Sequence, residues 1–137
     1  MAVALTRLTI GERMARVRQR DTAPELAVRK ILTRSGIRYR VCPKGLPGRP
    51  DIANRSRGWA LFVHGCFWHG HEGCALARLP KTNNTFWSEK ITANRARDRR
   101  KSRELAALGL RVYTVWQCQL EKAPTLPRLV SRLRGAQ

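Results

Sequence analysis

His64-Gly65-Cys66-Phe67-Trp68-His69-Gly70-His71-Glu72-Gly73-Cys74 is the stretch on which the reading of this chain turns. These eleven residues hold all three histidines of the protein and two of its four cysteines, set around a Phe-Trp pair. A buried core selects aliphatic side chains, and a surface loop in so basic a chain would carry arginine, so this composition points to a site. Cys66, His71 and Cys74 read as metal ligands. With Cys118 they form a Cys₃His set that leaves no open position, which suits structural zinc. The spacing leaves one alternative open, a Cys₂His₂ set that uses His64 or His69 and omits Cys118. Either clip would hold a hairpin-like loop rigid, so that the remaining histidines and Phe67 and Trp68 are aimed at a target.

The 137 residues suit one domain with a real core. The net charge of +19 favours a polyanionic partner, with phosphate backbones the usual one and a membrane surface a minor alternative. Arginine suits bidentate contacts to phosphates and base edges. No apolar run approaches 18 residues, so no membrane span is expected. The N-terminus shows no signal-peptide pattern, so a cytoplasmic protein is expected, and the cysteines favour metal over disulfides.

The segments flanking the loop read as strands. Trp59–Val63 is apolar throughout and reads as a strand buried on both sides. It pairs with a short strand at Asp51-Ile-Ala53 across the Asn54–Gly58 turn. Asp51 then lies at a strand mouth, where it could give a carboxylate to Mg²⁺ while Val63 gives a backbone carbonyl. The bland reading is a turn or cap residue. Hydrolysis of a phosphodiester also needs a group to take a proton from water, and His69, held between Cys66 and His71, suits that task. Phe67 and Trp68 either wedge between bases or pack over the zinc site.

Further out, Thr22 and Glu25 have capping-box spacing around Pro24, and the helix they open should end near residue 35 at Gly36. Glu25 therefore has a purely structural reading. Ile37–Val41 alternates as a half-buried strand, with Cys42 as an apolar filler. Phe86-Trp87 precede a helix expected from Ser88 to about Leu108, some 30 Å long at about 1.5 Å per residue. Arg95, Arg99 and Arg100 belong to its basic run and are candidate phosphate contacts. Asn94 and Asp98 share a face. Leu110–Trp116 reads as a central strand, with Cys118 just past its end and close to Cys66 if both strands end on the same side. Pro124–Leu133 is an amphipathic terminal helix. Residues 1–20 read either as a basic arm, with a short helix around Glu12–Val17 whose Met14 and Val17 could share a face and wedge into a DNA groove, or as a frayed, solvated terminus; residues 21–137 read as a single domain.

The motifs Met14…Asp21-Thr…Glu25, Pro47-Gly-Arg-Pro-Asp51, His64-Gly-Cys-Phe-Trp-His69, Phe86-Trp87, Asn94-x₃-Asp98-Arg-Arg and Val115-Trp116-x-Cys118, in consistent order over roughly residues 10–120, resemble the very-short-patch-repair (Vsr) DNA mismatch endonucleases. The resemblance implies an α/β fold related to the restriction-endonuclease core, a mixed central sheet flanked by helices, with a structural zinc site. It implies an Mg²⁺-dependent nick on the 5′ side of the thymine of a T·G mispair. Double-stranded DNA with that mispair is then the substrate, repair proteins are candidate partners, and a monomer associated with a bacterial nucleoid is expected. By matching positions, Asp51 would bind Mg²⁺ with the Val63 carbonyl (the family carries Thr at that position), and His69 would activate water. Glu25, His64, Asn94 and Asp98 would assist. Cys66, His71, Cys74 and Cys118 would hold zinc. Phe67, Trp68 and Trp87 would form the wedge, with Met14 pressing from the opposite groove. Two other readings compete: a non-catalytic zinc-stabilised nucleic-acid-binding module, and a restriction-type nuclease acting on paired duplex.

Overall fold

The computed structural model describes residues 21–123 and 125–135. The basic arm expected over residues 1–20, with Met14 and the helix expected around Glu12–Val17, lies outside the described residues. Helix α1 (Ala23–Arg34) is followed by strands β1 (Arg40–Val41), β2 (Ile52–Asn54) and β3 (Trp59–His64). A 3₁₀ turn at Ala75–Ala77 leads into the long helix α2 (Asn84–Ala107), then strand β4 (Arg111–Trp116) and helices α3 (Gln117–Lys122) and α4 (Pro127–Gly135).

The four strands form one mixed sheet in the order β1-β2-β3-β4. The first three are antiparallel neighbours, while β4 runs parallel to β3 after the α2 crossover. Pairing on both edges and burial along its whole length make β3 the central strand. This corrects the expected central place of β4, which pairs only with β3 among the described residues and buries only Val115. Its β-branched and aromatic content reflects packing against its faces, which strand composition reports better than lateral position.

Side-chain alternation along β3 divides the core in two. Trp59, Leu61 and Val63 face Val28 and Leu32 of α1 and Leu133 of α4, with Ile52 and Val115 beside them. Ala60 and Phe62 face the other way, onto Leu105 of α2, with Ala53 and Leu46. His64 follows that second alternation and so emerges on the α2 side at the C-terminal end of the strand. The register pairs His64 with Trp116, so Cys66 and Cys118 both lie two residues past the end of that pairing.

Four boundaries differ from the sequence reading. Only Arg40–Val41 pairs in the first strand, and both residues are exposed. Side chains hold the preceding segment instead: Asn54 Nδ2 donates to the Arg38 carbonyl at 3.0 Å and the Tyr39 hydroxyl to the Arg29 carbonyl at 3.1 Å. Cys42 is a half-buried turn residue with φ of 44°, not a filler, and its N–H meets the Asp51 carbonyl at 2.9 Å. Helix α2 starts at Asn84, so Phe86 and Trp87 sit in its first turn. Asn83, left-handed at φ 58°, makes the sharp entry, as Asn tolerates. Helix α4 begins at Pro127 and not near residue 124, because Leu126 turns the chain at φ 45° and proline suits a first helical position.

The central loop is a run of turns rather than a hairpin. Its backbone closes on itself through His69 N–H to the Gly65 carbonyl and His71 N–H to the Cys66 carbonyl, at 3.2 and 3.0 Å. Gly70 lets it rest on α2. With φ of +60°, a Cβ there would stand 2.5 Å from Ile91 Cγ2 and 2.9 Å from Arg95 Cδ. We expect Gly70→Ala to cost about 1–3 kcal/mol through overpacking and backbone strain. Urea unfolding monitored by tryptophan fluorescence reads this as a lower midpoint; an unmoved midpoint would show that the loop yields freely.

Candidate active site and metal cluster

Where β3 ends, the Pro43–Pro50 turn, the start of α1 and one face of α2 enclose a cleft of about 1120 Å³. Glu25, Asp51, Val63, His64, Trp68, His69, Asn94 and Asp98 all line it. The six side chains singled out as catalytic thus converge from α1, the mouth of β2, the end of β3, the loop and α2.

Asp51 is fixed by the strand beside it: its Oδ2 accepts the Val63 N–H at 2.7 Å. Burial pushes its carboxyl up to about 6, against the lowering effect of that hydrogen bond and with help from nearby Glu25. An under-compensated carboxylate of this kind attracts a cation. The donors at hand, one carboxylate and backbone oxygen, fit a hard ion such as Mg²⁺ that keeps several waters. Glu25 is buried and fulfils its capping role: its Oε2 accepts the Asp21 N–H at 3.0 Å and faces Arg29 at 3.5 Å, while its own N–H reaches Thr22 Oγ at 3.4 Å. It also lines the cleft, so the two readings of Glu25 are compatible.

His69 and His64 stack face to face, with centroids 3.8 Å apart and planes 2° from parallel. Asp98 bridges their edges, with Oδ2 at 2.7 Å from His69 Nδ1 and Oδ1 at 4.0 Å from His64 Nε2. Burial acts against ionisation of Asp98, but the His69 hydrogen bond and the surrounding charges outweigh it and hold its carboxyl below the usual range. An ionised Asp98 can only accept, so the shared proton resides on His69 Nδ1, and Nε2 is the ring nitrogen outside that hydrogen bond. Burial drives His64 down to about 3, so its imidazole is neutral across the ordinary pH range. One α2 face carries both supports, since Asn94 Nδ2 donates to the Trp68 carbonyl at 2.8 Å, one residue before His69.

Phe67, Trp68 and Trp87 are half-buried and meet edge to face, at centroid separations of 5.2, 5.3 and 5.8 Å. Phe86, 40% exposed, extends this cluster through Trp87. The loop aromatics therefore pack on α2. The aromatic ring against the cysteine cluster belongs to Trp116, which stacks on His71 at 4.1 Å and meets His64 edge-on at 5.1 Å. Trp116 was missed as a site residue. Its signal was its place two residues before Cys118, on the strand that the parallel register sets beside His64.

Cys66, His71, Cys74 and Cys118 bring one ligand atom each to within 4.8 Å of one another. His71 Nδ1 and Cys118 Sγ are 3.4 Å apart, close to the spacing of about 3.5 Å that tetrahedral N and S ligands of one zinc require. Burial pushes the Cys66 thiol up to about 11. Burial acts the same way on Cys74, but the N–H of Leu76 and the hydrogen bonds from Cys66 and Cys118 outweigh it and lower its pKa. No disulfide joins the four cysteines. The cluster can hold a metal ion, and it is the Cys₃His set; His64 and His69 face Asp98 instead.

The selected arginines lie elsewhere than the cleft. Arg95 pairs with Glu72, and with Arg99 it lines a second hollow behind the histidine pair; Arg100 is exposed near Glu104. The cations lining the cleft are Lys44, Arg49, Lys90, Arg97 and Lys101.

The sequence model of the family described as "DNA mismatch endonuclease Vsr" matches residues 4–75. The type II nicking enzyme V.XorIIP of Xanthomonas oryzae pv. oryzae is 54% identical over 122 residues, covering 89% of this chain and 87% of the relative. The DNA mismatch endonuclease Vsr of Escherichia coli is 42% identical over 120 residues, covering 88% and 76%. The type II nicking enzyme V.NmeAIP of Neisseria meningitidis is 40% identical over 127 residues, covering 90% of each chain.

The Asp51 geometry has a measurable consequence without metal. A carboxyl raised from 3.8 to about 6 binds its proton more tightly in the folded than in the unfolded chain. That contribution to stability is full below about pH 4 and lost as pH rises through about 6. Asp51→Asn cannot ionise. In EDTA above pH 7 it should therefore be more stable than wild type by about 1–3 kcal/mol, with the advantage fading below pH 4. Thermal melts across pH check this; equal midpoints at pH 8 would count against the burial of Asp51.

Proposed function

Since the chain belongs to the Vsr DNA mismatch endonuclease family, we propose that this DNA endonuclease recognises a T·G mispair in double-stranded DNA and nicks the thymine strand on its 5′ side in an Mg²⁺-dependent hydrolysis. The observation that carries this reading is the convergence of Asp51, His64, His69 and Asp98 in one basic cleft, beside a half-exposed cluster of Phe67, Trp68 and Trp87. Through this cluster the protein can open the stack at a weakened pair and hold the adjacent phosphate against the catalytic groups.

Asp51 would hold Mg²⁺ together with the Val63 carbonyl, and Glu25 adds negative charge on the same side of the cleft. The ion would supply neutralisation of phosphate charge and polarisation of the reacting oxygens. His69 Nε2 would take one proton from the attacking water as its oxygen bonds to phosphorus, while the bond to the sugar oxygen breaks and that oxygen leaves as a hydroxyl with a proton taken from solvent water. Asp98 fixes the His69 tautomer and stabilises the imidazolium that results, at 2.7 Å. His64 stacks on that ring as a neutral plate, adding no competing positive charge. Asn94, through the Trp68 carbonyl, would keep the wedge and His69 in one register.

Phe67, Trp68 and Trp87 would unstack the mispaired step, with Met14 entering from the other groove. T·G selectivity follows from cost: opening a mispair needs less energy than opening a matched pair. The residues 1–20 would serve as an arm to the domain of residues 21–137, and one copy would suffice, since a mispair lacks two-fold symmetry. The structural ion in the Cys66, His71, Cys74, Cys118 cluster would be zinc, closed to substrate by its four ligands.

Duplexes that differ only in T·G versus C·G, each with Mg²⁺ or EDTA, test the reading directly. We expect a thymine-strand nick on the T·G duplex alone, dependent on Mg²⁺ and reduced at least about 10³-fold in Asp51→Ala with binding retained. Equal cutting of both duplexes across several flanking sequences would leave a nuclease without mismatch specificity. Trp68→Ala should lower cutting of T·G by roughly 10–100-fold, corresponding to the loss of about 1–3 kcal/mol of stacking; a variant that still cuts at the wild-type rate would remove the wedge from the account. Elemental analysis should return one zinc per chain, and Cys118→Ala should lose it together with several degrees of thermal stability. Full metal occupancy in that variant would exclude Cys118 as a ligand.

A further inference from the structure

The proposed machinery leaves the cleft cations Lys44, Arg49, Lys90, Arg97 and Lys101 without a task, and the placement of Lys101 sets it apart. Lys101 sits on α2 one turn beyond Asp98, so the spacing of Asn94, Asp98 and Lys101 puts all three on one helical face. It is half-buried and lines the cleft with Asp51 and His69. No carboxylate lies within ion-pair distance of its ammonium among the described residues. Its charge nonetheless bears on Asp51, His64 and Asp98 alike.

The turn that carries Asp51 makes room for this side chain. Gly48 has φ of +74°, and a Cβ there would stand 2.7 Å from Lys101 Cβ and 2.9 Å from its Cγ. The lysine stem is thus clamped where the Pro47-Gly-Arg-Pro50 run crosses α2, while its charge acts on the cleft groups Asp51, His64 and Asp98. A solvated surface lysine has neither such a clamp nor a position beside three charged or titratable groups. A nearly unpaired cation held in a cleft that takes phosphate has an obvious counter-ion in the substrate.

We infer that Lys101 is a further catalytic residue of this endonuclease, its ammonium meeting a non-bridging oxygen of the scissile phosphate and the negative charge that grows there as water adds. No bond to Lys101 forms and no proton leaves it; the water proton goes to His69 as before. The other cleft cations, such as Lys90 and Arg97, would track the DNA backbone and contribute affinity, whereas Lys101 acts on the transition state. This inference rests on the proposed cleavage chemistry at the same cleft.

The test compares wild type with Lys101→Met, which keeps the stem against Gly48, with Lys101→Gln and with Lys101→Arg. Each is assayed on the T·G duplex that wild type cuts, in single-turnover reactions with enzyme in excess and Mg²⁺ present. Duplex affinity and its salt dependence are measured in parallel with EDTA. We expect the Met and Gln variants to lose about 10²-fold in nicking rate while affinity stays within about threefold, and the Arg variant to recover part of the rate. Circular dichroism and melting temperatures like those of wild type keep the comparison valid, and the Gln variant replaces Met if the latter unfolds. A nicking rate within twofold of wild type in both neutral variants overturns the inference and leaves the endonuclease reading standing. So does a loss that saturating enzyme restores together with a shallower salt slope, which would make Lys101 an ordinary backbone contact. A wild type that fails to nick any mispaired duplex brings down the cleavage chemistry, and the role of Lys101 with it.

Discussion

The parallel pairing of β3 with β4 is the constraint on which the rest of the structure depends. A parallel neighbour requires a crossover, and here the crossover is the 24-residue helix α2 lying across one sheet face. Parallel strands end on the same side. The register of His64 with Trp116 therefore brings Cys66 and Cys118, 52 residues apart in sequence, close enough for the Cys118 N–H to meet Cys66 Sγ at 3.4 Å. The same register sets Trp116 edge-on to His64 and flat against His71. A metal held by the Cys₃His set would fasten the two strand ends to one another and to the loop between them. An antiparallel β4 would send Cys118 to the far end of the sheet, and neither the cluster nor the ordered loop would form.

The cleft separates two carboxyls by environment. Asp51 is raised by burial to about 6, so its charge is costly and invites a cation. Asp98 is held low because an imidazole N–H and nearby charges outweigh its own burial, so its charge is already spoken for by His69. Pushing the pKa values of two like groups apart is how one site obtains two functions from the same chemistry. His64 completes the division. Driven to about 3, it contributes a flat neutral surface to His69 rather than a third titrating group.

Much of this was legible in the residues. The concentration of His and Cys in 64–74, the capping pattern at Thr22 and Glu25, and the strand at Trp59–Val63 are local signals, and local signals survive folding. The central place of β3 was not legible, because strand order follows from long-range pairing that composition does not encode. The start of α2 was masked by two consecutive aromatics, which lower helix propensity only slightly and are tolerated when packed on one another. The cations were harder still. In a helix with so many bases, which of them face the cleft depends on the rotation of α2 about its axis. The contacts of Gly48 and Gly70 fix that rotation, and neither glycine announces its partner in the sequence.

On the proposed reading, helix α2 would thereby tie recognition to chemistry. The loop rests on it at Gly70, the aromatic cluster is completed by Trp87 in its first turn, and the cleft turn rests on it at Gly48. Between these supports, Asn94 holds the carbonyl of Trp68 and Asp98 holds the ring of His69, so adjacent loop residues are anchored one helical turn apart. An indole pressed into a base stack cannot shift without dragging the peptide that carries the histidine. Conversely, an indole refused by a well-stacked pair would leave that histidine displaced from the phosphate. Discrimination in such an arrangement needs no separate gate. On the proposed reading, the clamping of two adjacent loop residues by one helix face would make correct insertion the geometric condition for attack.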